Sequence, residues 1–237
     1  MKEVIVLAGG LGTRLRSEIE ETPKVLAPIN DIPFLEYLLD YLEGQWVDTV
    51  ILALGFQSQQ VLEWLKGKAY TFKLNVSLEH EPLGTGGAIK RALLKSKSSR
   101  VVVMNGDTYF PIDLNILYER KDQFPIHVGL TKIQDSSRYG QVIINEEGII
   151  TDFLEKDENN KEAATINAGV YLLNKEELPI AEWPTVFSWE KEVLEPFSKR
   201  SKLKGIVFDD PFIDIGVPED YEKAQTFIPK HSQSEDY

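Results

Sequence analysis

The sequence predicts an α/β fold with a mostly parallel central sheet, helices on both faces and a smaller second half of mixed strands. In the first half, short runs that are almost wholly apolar alternate with segments of helical spacing. That is the pattern of strands buried on both faces and joined by right-handed helical crossovers. In the second half the apolar runs shorten and are separated by turns and charged loops.

The first run, Val4-Ile5-Val6-Leu7-Ala8, ends in Gly9-Gly10-Leu11-Gly12-Thr13-Arg14, with Pro23-Lys24 following. It predicts a buried strand and a glycine turn whose amides an anion can approach. Arg14 and Lys24 are the cations expected beside a polyphosphate. A helix is expected over 33–42, with Pro33 in its first turn. A second buried strand is expected over 50–54, a helix over 58–65 and a third strand over 74–78. This strand leads to Glu81-Pro82-Leu83-Gly84-Thr85-Gly86-Gly87, and a helix is expected to grow out of that glycine loop over 88–94. A fourth strand over 101–104 ends at Asn105-Gly106-Asp107. Ligands of such sheets bind beyond the carboxyl ends of the strands. One crevice there can collect all three loops.

In the second half, strands are expected over 126–131, 140–144, 149–154 and 166–173, with a hairpin turn at Asn145-Glu146-Glu147-Gly148. A charged loop over 157–162, a helix over 187–197, a strand over 203–208 and a helix over 217–227 complete the chain. Residues from Pro229 are expected to form a polar, frayed tail.

The chain has 237 residues, with 42% hydrophobic and 27% charged, the balance of a globular protein. No apolar run approaches the ~20 residues that cross a bilayer. The N-terminus does not resemble a signal peptide, and there is no cysteine. A cytoplasmic protein is expected. The net charge of −12 argues against nucleic acid and anionic membrane as partners, which require a basic face.

Leu7-Ala8-Gly9-Gly10-Leu11-Gly12-Thr13-Arg14-Leu15 with Pro23-Lys24 resembles the signature of the sugar-1-phosphate nucleotidyltransferases. Glu81 to Gly87, Gly106-Asp107, Glu155-Lys156, Asn167-Ala168-Gly169-Val170-Tyr171 and Asp214-Ile215-Gly216 match further motifs in order. The resemblance covers nearly the whole chain. It implies a Rossmann-like nucleotidyltransferase fold in one domain over 1–230, with a nucleotide-binding half (1–110) and a sugar-phosphate-binding half (111–230). It also implies condensation of an NTP with a sugar 1-phosphate to an NDP-sugar and pyrophosphate.

By this resemblance the Gly9–Thr13 amides, including Gly10 and Gly12, cradle the triphosphate. Arg14 neutralises the β- and γ-phosphates, and Lys24 sits at the α-phosphate and sugar phosphate. Leu7, Ala8, Gly9, Gly84 and Thr85 flank the base. Asp107 and Asp214 are the expected Mg²⁺ carboxylates, with Asp209 and Asp210 as rivals. Glu155, Lys156, Asn167 and Gly169 are expected at the sugar. Glu81 falls where relatives place a base-reading Gln or Glu. A carboxylate only accepts hydrogen bonds, and guanine offers adjacent N–H and NH₂ donors, so GTP is expected. Many relatives carry proline and threonine where this chain has Ser17 and Ile19. The form Leu15-Arg16-Ser17, with Ala27-Pro28-Ile29-Asn30, resembles the manno-heptose 1-phosphate guanylyltransferase branch, which makes GDP-heptose for bacterial cell-surface glycans. Mannose 1-phosphate guanylyltransferases are close neighbours. Uridylyl or thymidylyl transfer and a nucleotide-sugar-sensing subunit are the other readings, and a homodimer is possible.

Overall fold

A computed structural model gives the fold, and the structure describes residues 1–10, 12, 15, 22–154 and 161–232. The leading strand β1 (Glu3–Leu7) is followed by a small hairpin, β2 (Pro28–Ile29) and β3 (Ile32–Pro33), which periodicity did not reveal. Helix α1 (Phe34–Gly44), β4 (Thr49–Leu54), α2 (Ser58–Trp64) and β5 (Lys73–Leu78) come next. Then follow α3 (Gly84–Leu93), β6 (Arg100–Asn105), β7 (Thr108–Tyr109) and α4 (Asn115–Tyr118). The second half holds β8 (Ile126–Ile133), β9 (Gln141–Ile144), β10 (Ile150–Leu154) and β11 (Ala164–Asn174). A helix α5 opens as a π-turn over Glu190–Leu194 and continues as α-helix over Glu195–Ser198, and β12 (Leu203–Phe208), β13 (Ile213–Asp214) and α6 (Pro218–Ser232) finish the fold.

Nine strands form one sheet, with β5, β4, β1, β6 and β11 as consecutive neighbours. The first four are parallel, and β11 runs antiparallel to both β6 and β8. The opposite direction of β11 sends its N-terminal half past the carboxyl ends of the parallel strands, where β9 meets it at Ile166.

Side chains alternate across a strand. Val4 and Val6 of β1 therefore join a core with Leu35, Leu38 and Leu42 of α1 and Val61 of α2, while Ile5 joins Ile89 and Leu93 of α3 on the other face. The crossover helix changes face when the chain returns from β5 to β6 on the far side of β1. That reversal makes the ends of β1 and β6 a topological switch point, the place where α/β sheets open a ligand crevice.

Three expectations are corrected by packing. Helix α3 begins at Gly84, inside the stretch expected to be a loop. Its glycines admit a distant segment: the Gly86 amide donates to Phe187 O at 3.1 Å, and a Cβ on Gly84 would lie 2.5 Å from that oxygen. The helix expected over 187–197 begins only at Glu190, because the Phe187 backbone is bonded to the start of α3, donating from its amide to Leu83 O at 3.0 Å and accepting from Gly86 N. The frayed tail expected from Pro229 is helical as far as Ser232. A proline inside a helix leaves the carbonyl four residues earlier without its amide. Here that carbonyl, Gln225 O, accepts instead from Asn30 Nδ2 at 2.8 Å, in the β2–β3 hairpin.

Candidate active site

The crevice at the switch point is a cavity of about 550 Å³. Of the residues expected at the nucleotide, Leu7, Gly9, Gly10, Glu81, Gly84 and Thr85 line it, as does Asp107, expected at the metal. Ala8 lies behind the wall, buried, with its amide donated to Ala53 O at 2.8 Å. Gly12 lies against the stem of Lys24. Thr13, Arg14, Glu155 and Lys156 lie outside the described residues.

Lys24 opens a single 3₁₀ turn, Lys24–Leu26, directly after Pro23. Its side chain is only 9% exposed, yet its ammonium donates to Asp107 Oδ2 at 2.6 Å and lies 3.9 Å from Asp214 Oδ1. Three remote segments therefore meet at one charge. Asp107 follows β6, and Asp214 is the last residue of β13, which pairs with β7. The bond from Ile215 N to Asp107 O, 2.9 Å, ties the two acidic loops together. A buried ammonium needs such partners, since its unpaired desolvation would cost several kcal/mol (about the scale of a buried ion). The rival Asp210 faces Asp113 and Tyr41 rather than Lys24. Burial and the neighbouring Asp209 and Asp113 push the Asp210 carboxyl up, and it sits near Tyr41.

The two carboxylates converging on one cation fit a small divalent ion. Mg²⁺ prefers one or two carboxylates, with phosphate oxygens and water completing its shell.

Sequence reasoning missed Glu79. It directly follows β5 and is half-buried on the cavity wall, where burial pushes its carboxyl above the ordinary value against the opposing Leu83 amide and Arg91. Glu81, two residues on, is exposed at the rim. The available signal was position, a carboxylate just past the last apolar residue of a strand, as Asp107 lies just past β6.

A second cavity of about 410 Å³ is lined by Asn167 with Arg138, Tyr139 and Gly140 and by the start of α5. Asn167 opens a β-bulge, since register shifts between Asn167 and Val170. Its amide braces the bulge: Nδ2 donates to Tyr171 OH at 2.8 Å and Oδ1 accepts from Gly169 N at 3.0 Å. Gly169 has φ +72° and packs against Asn105, which lines the first cavity. Tyr139 also faces the acidic loop. Its ring packs edge-on against Phe212, and burial with the nearby Asp214 pushes its hydroxyl up to about 12. Arg138, beside it, pairs with the buried Asp220 of α6.

The family model for nucleotidyl transferases matches residues 3–231. The chain is 41% identical to the D-glycero-alpha-D-manno-heptose 1-phosphate guanylyltransferase of Aneurinibacillus thermoaerophilus, covering 94% of this chain and 96% of that protein. It is 43% identical to the enzyme of the same name from Campylobacter jejuni, covering 92% and 96%. The crystal structure of HddC from Yersinia pseudotuberculosis superposes with a TM-score of 0.83 at 36% identity, covering 95% of this chain and 98% of that one, and HddC has also been solved in complex with GMP-PN. With the switch-point crevice, the Lys24–Asp107 pair and a match along nearly its whole length, this chain belongs to the nucleotidyl transferase family.

Proposed function

We propose that this protein transfers guanylate from GTP to a manno-heptose 1-phosphate, releasing pyrophosphate and forming GDP-heptose. The observation that carries the reading is the buried Lys24 ammonium, held against Asp107 and Asp214 at a cavity walled by a half-buried carboxylate. The names of the relatives at 41% and 43% identity, and the GMP-PN complex of HddC, support the choice of guanine and heptose.

In the proposed step an oxygen of the sugar phosphate attacks the α-phosphorus in line. One P–O bond forms there and the bond to the β-phosphate breaks, with the electron pair leaving on pyrophosphate. Two anions must approach, so catalysis is chiefly positioning and charge stabilisation. Lys24 offsets the repulsion between the α-phosphate and the sugar phosphate. In this reading Arg14 takes the β- and γ-phosphates, and the Gly9–Thr13 amides cradle the triphosphate. Asp107 and Asp214 would hold Mg²⁺, which when bound supplies further neutralisation of phosphate charge.

Of the two carboxylates on the wall, Glu79 suits base reading better than Glu81. It is the less exposed of the two, and the hydrogen bonds it would accept from guanine N1–H and the 2-amino group are stronger where water is excluded. Asn167 and Gly169 shape the sugar side, with Glu155 and Lys156 as sugar contacts. The reading takes residues 1–230 as one domain, in the cytoplasm, where GTP is held.

The test is a pyrophosphate-release assay with Mg²⁺, each of the four NTPs and a panel of sugar 1-phosphates. GTP with manno-heptose 1-phosphate is expected to react fastest. No turnover with any hexose or heptose 1-phosphate would refute the reading, and a preference for mannose 1-phosphate would move it to the neighbouring branch.

A further inference from the structure

Among the described residues, Glu190 is the one side chain that lines both cavities. It is held there by an anchored backbone. The preceding Trp189 is fully buried, and its ring packs edge-on to Tyr171 at 5.9 Å. Glu190 itself is the first residue of the π-turn, a local widening of a helix that often marks a functional position.

The carboxylate is also oriented. Ser188 Oγ accepts from Lys191 N at 3.3 Å and donates to Glu190 Oε2 at 3.2 Å. Oε1 makes no hydrogen bond among the described residues, and the side chain is exposed to the cavities. Asn167 is braced by one bond from Nδ2 to Tyr171 OH and one from Gly169 N to Oδ1. The second cavity thus presents an oriented anionic acceptor in Glu190. Such a group repels a phosphate and attracts a hydroxyl donor.

Building on the proposed reaction, we propose that Glu190 is a specificity-determining residue whose Oε1 accepts a hydrogen bond from a ring hydroxyl of the acceptor sugar, at the boundary between the two cavities. The sugar then lies with its phosphate toward Lys24 and its hydroxyl edge toward α5. A charge-assisted hydrogen bond of this kind corresponds to about a ten- to hundredfold effect.

The experiment compares wild type, Glu190→Gln and Glu190→Ala on whichever sugar 1-phosphate the wild type turns over best, together with its single-deoxy analogues. GTP affinity is measured separately by calorimetry without the sugar, and thermal melting checks the fold. The expected result is a fall in kcat/KM for the sugar phosphate of about ten- to hundredfold in Glu190→Ala and a smaller one in Glu190→Gln, with GTP affinity unchanged. One deoxy analogue should lose as much on the wild type as Glu190→Ala does and lose nothing more on the variant, as partners in one interaction must. An unchanged kcat/KM, strictly additive losses for every analogue, or a loss of GTP affinity with an unchanged sugar KM would each overturn the proposal. Failure of the reaction assignment would appear in the wild type, whereas failure of this inference appears only in the ratio of variant to wild type.

Discussion

Gly169→Ala is expected to damage both the fold and the nucleotide cavity. The residue has φ +72°, and a Cβ there would lie 2.4 Å from Asn105 Nδ2, 2.7 Å from its Cγ and 3.1 Å from its Cβ. An alanine in the left-handed region costs about 1–2 kcal/mol. Forcing a methyl into filled space costs about 1–3 kcal/mol more. The contact at Asn105 Cβ means that rotating the amide alone does not relieve the overlap, so the sum of ~2–5 kcal/mol should be largely realised. With a urea slope of ~2–3 kcal/mol/M, the unfolding midpoint falls by about 1–2 M. Asn105 lines the first cavity, so the KM for GTP should rise in the same variant. Gly44→Ala is the control. Gly44 is the last residue of α1, with nothing within 4 Å of its Cβ position, and that change should leave the unfolding midpoint at or slightly above that of wild type. A Gly169→Ala midpoint within about 0.2 M of wild type would refute the argument that the bulge and Asn105 are locked together.

Lys24→Met keeps the stem and removes the charge; kcat should fall by about 10²–10³, with the circular dichroism spectrum unchanged, and near-normal kcat would misplace Lys24. Glu79→Gln should raise the KM for GTP by about ten- to hundredfold. The raised carboxyl of Glu79 means that the unfolded chain loses this proton first as pH rises, so stability is lost above the ordinary value of 4.5. The same variant should therefore melt higher than wild type at pH 7 and equally at pH 4. His127 is buried on β8 with Nε2 2.7 Å from Asp122 Oδ1, and burial outweighs that carboxylate to lower its pKa from 6.5. The unfolded chain then binds the proton that the fold resists, so stability should fall as pH drops below about 6.5, by at most about 1.4 kcal/mol per pH unit; His127→Gln should flatten the melting profile there.

Much of this protein was legible locally. The strands β1, β4, β6 and β12 follow from apolar runs, and α1 and α2 from 3.6-residue spacing, because burial on one face or two is written into neighbouring residues. Lys24, Asp107 and Asp214 stand out in the sequence through the motifs that carry the resemblance, and the structure brings the three side chains together. The hairpin β2–β3 and the strands β7 and β13 were not, since two-residue strands carry no periodicity. Nor was the start of α3 in its glycines, whose need is set by Phe187, some hundred residues on.

By itself the sequence determined the layered α/β plan and the chemical groups at the ends of its strands, because alternation and spacing act within a few residues. Only the tertiary structure decided which of those groups share a site. Lys24 meets Asp107 across 83 residues of chain, Glu79 rather than Glu81 is the less exposed carboxylate on the cavity wall, and Glu190 reaches both cavities from a segment with no motif. Such meetings depend on the order of strands in the sheet and on the antiparallel run of β11 past its edge, which no local pattern encodes.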